Sequence, residues 1–145
     1  MINLRSKRSC FILALMVYIA CALYFAVLSR NMVSQSTIRL ELFRGYFLPS
    51  GNGWVDVLLN IVCFIPLGFL VGLIAKRYRV LMALIVGLLM SLTIEFSQLI
   101  WQRGVFDLND IFNNVVGSMI GGVMVVLIIW NLKTLKKKSD SLGCC

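Results

Sequence analysis

A short stretch of this mostly apolar chain concentrates side chains that can do chemistry: Glu95, Gln98, Arg103, Asp107, Asp110, Asn113 and Asn114. Carboxylates accept and release protons as general acids and bases. A guanidinium binds phosphate or carboxylate through paired hydrogen bonds, and amides bind polar headgroups or fasten helices. The stretch therefore predicts a site that is catalytic, ligand-binding or purely structural.

The elements that carry these residues follow from composition. The chain has 145 residues, of which 60% are hydrophobic and 14% charged, with a mean hydropathy of +0.92. Such values lie outside the range of soluble domains, and a helix needs about 20 apolar residues to cross a bilayer. We predict an all-α membrane protein with four transmembrane helices, at residues 10–28, 55–75, 80–101 and 111–130. Residues 1–145 then form a single domain without a soluble catalytic module.

Lysine and arginine positions predict the orientation, because short basic loops stay in the cytoplasm. Basic residues cluster at the amino end, in the connector after the second span, and in the tail at residues 131–145. We predict a multi-pass protein of the cell membrane with both termini cytoplasmic and an external loop at residues 29–54. The net charge of +8 is explained by this topology, so no nucleic-acid partner is expected. Palmitoylation is left open for Cys144 and Cys145.

The polar residues of three spans are predicted to lie at one depth. With a rise of 1.5 Å per residue, Asn60, Glu95, Gln98 and Asn114 all fall in the outer part of the bilayer. Helical spacing places them on the same faces as small residues that allow helices to approach closely. Because a charged carboxylate is costly against acyl chains, we predict an internal polar cluster that opens outward.

Within that cluster, charge pairs are expected. Arg103, just beyond the third span, is the predicted partner of Glu95, and Asp107 and Asp110 are predicted to share it or to bracket it. Pro66 cannot donate a hydrogen bond within its helix, so we expect a kink there. The bend would lean Asn60 toward the third and fourth spans.

Two segments, NIVCFIPLGFL at residues 60–70 and SLTIEFSQLIWQRGVFDLNDIFNNVVGSMIGG at residues 91–122, resemble the VanZ-like family of membrane proteins. The family pattern falls on Asn60, Pro66, Gly68, Glu95, Gln98, Arg103, Asp107, Asp110, Asn114 and Gly117. The first span and the external loop match only in type. The resemblance implies a multi-pass envelope protein whose founding family member lowers susceptibility to the glycopeptide teicoplanin. It does not imply a particular reaction.

An enzyme would use Glu95 with Asp107 or Asp110 as acid and base on a lipid-linked substrate, with Arg103 holding a phosphate or carboxylate. The chain has no histidine, and we find no metal or nucleotide motif. We therefore expect no cofactor and no metal, and lean against an enzyme. Asn109 with two aspartates could hold a divalent ion, but a helix cap formed by Asn109 or Asp110 is favoured.

The favoured hypothesis is binding at the outer surface, with a cell-wall precursor lipid or a lipid-tailed glycopeptide as ligand and the bilayer as surroundings. The predicted binding cluster comprises Asn60, Glu95, Gln98, Arg103, Asp107, Asp110 and Asn114. A structural or accessory role, with the cluster serving as an interhelical clasp, is the remaining alternative. Whether the chain forms a homo-oligomer is left open.

Overall fold

Four helices make up most of the chain in a computed structural model that describes residues 4–32, 37–43 and 53–142. Each is long and apolar enough to cross a membrane, which confirms the predicted fold class. The helices are α1 (Leu4–Leu23), α2 (Gly53–Ile74), α3 (Arg79–Ile100) and α4 (Leu108–Leu142), and one turn of π-helix (Tyr24–Leu28) extends α1. The terminal cysteines and half of the loop at residues 29–54, namely residues 33–36 and 44–52, lie outside the described residues.

The fourth helix is longer than predicted. It continues beyond residue 130 to Leu142, through much of the segment expected to be a tail. Leucine and lysine are good helix formers, and the backbone hydrogen-bond ladder does not need hydrocarbon around it. The lysines of this extension are exposed.

Two short strands connect the loop between α1 and α2 to the end of the bundle. β1 (Ile38–Arg39) pairs in parallel with β2 (Phe106–Asp107), with Ile38 opposite Phe106. β2 directly precedes α4. The pairing was not expected from the sequence, because two-residue strands have no detectable periodicity. It holds part of the loop beside the first turn of α4.

The most extensive interhelix contact is between α2 and α4. A Cβ atom at Gly68 would collide with the carbonyl group of Ser118, and one at Gly117 would collide with that of Ile61. Backbones therefore touch along this contact, as small residues allow in membranes. We call it the glycine seam and define it by Gly68, Gly72, Gly117 and Gly121.

The first helix is peripheral and is the least buried of the four. Its carboxyl end contacts α2 and α3 through an apolar cluster that includes Val27, Phe64 and Ile94. Many large apolar side chains elsewhere on the bundle are exposed, as expected where lipid rather than water surrounds the helices. Pro66 lies inside α2, which continues unbroken to Ile74.

Candidate functional site

Glu95 is the most deeply buried acid of the predicted cluster. It lies on α3 with only 2% of its surface exposed. Its Oε2 accepts a hydrogen bond of 2.9 Å from the backbone N–H of Asp107. Burial of a carboxylate is tolerated only when its oxygens are hydrogen-bonded or paired. The second oxygen, Oε1, makes no hydrogen bond within the described part of the chain.

Asp110, in the first turn of α4, joins the fourth helix to the second. Its Oδ1 accepts a hydrogen bond of 2.7 Å from Asn60 Nδ2, so the amide of α2 reaches the acid of α4 as the sequence suggested. The other oxygen, Oδ2, has no hydrogen-bond partner among the described residues. Each of the two acids thus keeps one oxygen available.

Asp107 has a structural role at the start of α4. Its Oδ1 accepts a 2.9 Å hydrogen bond from the backbone N–H of Asn109, which is the geometry of a helix N-cap. The predicted cap, Asn109 or Asp110, was therefore wrong, because the helix begins earlier than expected. Asn109 instead makes two hydrogen bonds to the loop between α1 and α2. Its Nδ2 donates to the carbonyl of Glu41 at 2.9 Å, and its Oδ1 accepts from the N–H of Phe43 at 2.6 Å.

Arg103 does not pair with Glu95. Its guanidinium donates to the carbonyl oxygens of Leu28, at 2.6 Å, and Arg30, at 2.8 Å. Among the described residues it forms no ion pair with an acid of the cluster, so the predicted pairing was wrong. The last carbonyls of a helix lack intrahelical partners, and Arg103 satisfies those at the end of the first span. It positions the chain end from which Arg30 extends.

Arg30, rather than Arg103, is the basic residue whose charge acts on the acids of the cluster. It interacts with the charges of both Glu95 and Asp110. The sequence analysis gave Arg30 no role in the site. Its position directly after the first span, at the same predicted end as Glu95, was the signal that could have identified it.

Two buried amides complete the cluster. Gln98, 3% exposed, donates from Nε2 to the carbonyl of Ala26 at 2.8 Å. Asn114, 4% exposed, donates from Nδ2 to Ser91 Oγ at 2.9 Å. The Oδ1 atom of Asn114 is buried and has no hydrogen-bond partner among the described residues. Buried polar atoms without a hydrogen-bond partner are rare in folded proteins.

A cavity of about 440 Å³ lies between the four helices at this end of the bundle. Its lining combines polar side chains with apolar ones, and the apolar ones come chiefly from the first span and α2. The polar lining consists of Arg30, Asn60, Glu95, Gln98, Asp110 and Asn114, with the hydroxyl-bearing Tyr18. The apolar lining consists of Cys21, Ala22, Phe25, Ala26, Cys63, Phe64 and Ile94. The cavity therefore suits a molecule with a polar group and a hydrocarbon part.

Of the predicted cluster, Asn60, Glu95, Gln98, Asp110 and Asn114 line this cavity, whereas Arg103 and Asp107 do not. These last two act on the backbone around it. The sequence analysis missed the contribution of α1, because an apolar span without polar marks gives no indication of which side of it faces a site.

The fold and the site define a class: a multi-pass, all-α membrane protein with an amphipathic cavity at one end of a four-helix bundle. Comparison with known families makes this more specific. The sequence model of the VanZ/LLP1 family matches residues 10–130, and the chain belongs to that family.

One curated relative is Protein VanZ of Enterococcus faecium. It is 33% identical to this chain over 75 residues, which is 52% of this chain and 46% of that protein. The chain thus matches about half the length of this relative. No solved structure matches the chain.

Proposed function

We propose that this protein resides in the cell membrane and lowers susceptibility to teicoplanin-type lipoglycopeptides by binding an envelope lipid or a lipid-tailed ligand in its cavity. The observation that carries the proposal is that one cavity is lined both by polar and charged side chains and by apolar side chains, the latter chiefly from the first span and α2. A site of this kind holds a headgroup and the first part of an acyl chain together.

The size of the cavity supports a small ligand or a headgroup. Its volume of about 440 Å³ falls within the range of small-molecule sites. The outer part of a long acyl chain would extend between α1 and its neighbours, where the helices face lipid. The teicoplanin component of the proposal comes from family membership, and the relative matches only in part.

The proposal places the cavity at the external surface, with both termini cytoplasmic. The basic residues of the connector between α2 and α3 lie at the opposite end of the bundle, which is expected on the cytoplasmic side. Reporter fusions after Arg79 and after Ile100 test this orientation. A cytoplasmic signal at Arg79 and an external signal at Ile100 are expected, and the reverse pattern contradicts the proposed orientation.

The functional test is teicoplanin and vancomycin susceptibility of a sensitive Gram-positive host that expresses the protein. Wild type is compared with Glu95→Gln, Asp110→Asn and Arg103→Ala, and membrane levels are checked by immunoblot. Asp56→Asn is the matched control for Asp110→Asn, because Asp56 is an exposed acid in the first turn of α2 at the same end of the bundle. Vancomycin serves as the drug without a lipid tail.

We expect wild type and Asp56→Asn to protect against teicoplanin, and the Glu95 and Asp110 variants to lose at least about ten-fold of that protection at normal protein levels. The ten-fold change corresponds to about 1.4 kcal/mol, the order of one hydrogen bond to a charged group. Absence of protection by wild type refutes the resistance role. Full protection by well-expressed Glu95→Gln and Asp110→Asn refutes the cavity as its site.

A second candidate function is catalysis on a lipid-linked substrate. The specific observation in its favour is that Glu95 and Asp110 line the same cavity, each with one oxygen that makes no hydrogen bond within the described residues. Chromatography of membrane lipids from cells that express wild type or Asp110→Asn tests it. A lipid product that depends on Asp110 favours the enzyme over the binding protein.

A further inference from the structure

The neutral polar side chains of the cavity lining donate their hydrogen bonds to other groups of the protein. Gln98 Nε2 donates to the carbonyl of Ala26, and the Tyr18 hydroxyl donates to the carbonyl of Cys63. Backbone carbonyls accept hydrogen bonds and cannot donate them. The orientation of both side chains is therefore determined by the protein itself, without any ligand.

The two asparagines follow the same pattern. Asn60 Nδ2 donates to Asp110 and Asn114 Nδ2 donates to Ser91. In a planar amide the oxygen points away from the nitrogen, so a nitrogen held by the protein directs the oxygen elsewhere. For Asn114 this oxygen is enclosed by protein atoms and is out of reach of a ligand. The amide oxygens of Asn60 and Gln98, two residues of the cavity lining, have no hydrogen-bond partner among the described residues.

Apart from the Arg30 guanidinium, the cavity thus offers a ligand chiefly acceptor oxygens. They are Glu95 Oε1, Asp110 Oδ2, Asn60 Oδ1 and Gln98 Oε1, none of which has a hydrogen-bond partner among the described residues. Two of the four belong to carboxylates, whereas Arg30 is the single cation of the described lining. If Arg30 balances one carboxylate, the other still lacks a positive charge.

We propose that the cavity recognises a primary ammonium group on a lipid-tailed molecule. The proposal rests on the proposed function and names the chemical class of its ligand. A primary ammonium carries three N–H donors and one positive charge: the donors suit the acceptor oxygens, and the charge suits the unbalanced carboxylate. The hydrocarbon part of the ligand lies against the apolar lining from α1, and Arg30 is placed to hold an anionic group attached to the amine.

Other headgroups fit the same groups less well. A purely anionic headgroup would bring its charge beside two carboxylates, which is repulsive in a site of low dielectric constant. A quaternary ammonium has the positive charge but no N–H donor for Glu95 Oε1 and Asp110 Oδ2. An acetylated amine keeps one N–H donor but loses the charge. The chemistry therefore separates the primary amine from each close analogue.

The amine can come from a phospholipid headgroup or from a lipid-tailed peptide, and two matched pairs of probes distinguish these sources. One pair is phosphatidylethanolamine and its N-acetylated form. The other is a palmitoyl-tailed tripeptide, with the lipid on its carboxyl end, carrying a free or an acetylated amino terminus. Binding of each probe to the purified full chain in lipid nanodiscs of phosphatidylcholine is measured by native mass spectrometry and by competition for a fluorescent probe.

We expect wild type to bind the free amine of at least one pair about ten-fold more tightly than its acetylated partner. Discrimination in the phospholipid pair alone identifies a headgroup ligand, and discrimination in the peptide pair alone identifies a peptide amine. Equal binding within both pairs, or tighter binding of phosphatidylglycerol than of every amine probe, overturns the proposal.

Two variants keep the readout separate from folding. Glu95→Gln retains an oxygen for the N–H of Asp107 but removes the charge, and Asp56→Asn removes an exposed acid outside the cavity lining. We expect discrimination to fall to near unity in Glu95→Gln and to persist in Asp56→Asn. If Glu95→Gln binds neither member of a pair, the variant is treated as misfolded, and Asp110→Asn is measured in its place. Continued ten-fold discrimination in both Glu95→Gln and Asp110→Asn also overturns the proposal.

Failure of this inference is distinguishable from failure of the proposed function. Protection against teicoplanin by wild type, together with equal binding of amine and acetylated probes, leaves the function standing and removes the amine. Absence of protection, together with clear amine discrimination, removes the resistance role and leaves a lipid-amine site.

Discussion

The glycine seam and the cavity are built from the same helices, yet they use opposite packing. Along the seam, α2 and α4 bring backbone against backbone, and a single methyl group at Gly68 or Gly117 has no space. At the cavity, the same two helices carry Asn60 and Asp110, which hydrogen-bond each other, and Asn114, which bonds Ser91 of α3. These residues line a volume of about 440 Å³.

The difference separates stability from function within one bundle. Apolar side chains gain nothing from leaving lipid for a helix interface, so close packing must hold membrane helices together. The seam supplies that packing between the two helices in closest contact. Next to the seam lies the cavity, which is lined by acids. Burial of these acids costs free energy, and a purely structural role in joining the helices does not explain that cost. Substitutions in the two regions should therefore have different consequences.

The largest effect is expected at the seam. In Gly68→Ala the new Cβ meets the backbone carbonyl of Ser118, which cannot move without shifting α4. Overpacking typically costs about 1–3 kcal/mol, and a clash with backbone lies at the upper end. We expect loss of the monodisperse species in size-exclusion chromatography and a lower unfolding temperature. Ala14→Val, at an exposed position of α1, is the control and should behave as wild type.

At the cavity, Glu95→Gln should change ligand binding more than folding. The glutamine oxygen can still accept the N–H of Asp107, so the unfolding temperature should fall by less than in Gly68→Ala. Protection against teicoplanin should fall at least about ten-fold, as expected for one hydrogen bond to a charged group. If Glu95→Gln loses as much stability as Gly68→Ala, the role of Glu95 is structural and the two regions do not differ in the way described.

A smaller effect is expected for Ser118→Ala beside the seam. The Ser118 hydroxyl is fully buried and donates to the carbonyl of Ala83 at 2.7 Å. Interhelical hydrogen bonds in membranes contribute about 0.6 kcal/mol on average. Thermal unfolding should show a slight loss of stability, while the preference for an amine over its acetylated form stays unchanged. A changed preference would mean that the seam also shapes the ligand site.

The smallest effect is expected for Thr93→Val. The Thr93 side chain is exposed and its hydroxyl bonds within its own helix, to the carbonyl of Leu89 at 2.8 Å. Surface changes of this kind usually stay within about 0.5 kcal/mol. Unfolding temperature and drug protection should both match wild type. A clear loss of either would indicate that this face of α3 contacts another protein rather than lipid.

Sequence reasoning worked where the signal is local or periodic. Hydropathy over about 20 residues located all four helices, and the rise per residue placed Asn60, Glu95 and Asn114 at one end of the bundle. The same spacing identified the small residues of the seam. Pairings across elements were harder: Arg103 contacts the carbonyls of Leu28 and Arg30 rather than an acid, and Asp107 rather than Asp110 caps α4.

Sequence alone therefore determined that this is a four-helix membrane protein of the VanZ-like type and which polar residues share a depth, because both depend on length, composition and helical period. Tertiary structure decided the rest: that α1 lines the cavity, that Arg30 lines it together with Glu95 and Asp110, and that the amide nitrogens of the lining are hydrogen-bonded by the protein. These features depend on how each helix is rotated and offset against its neighbours, and that rotation is settled by contacts between residues far apart in the chain.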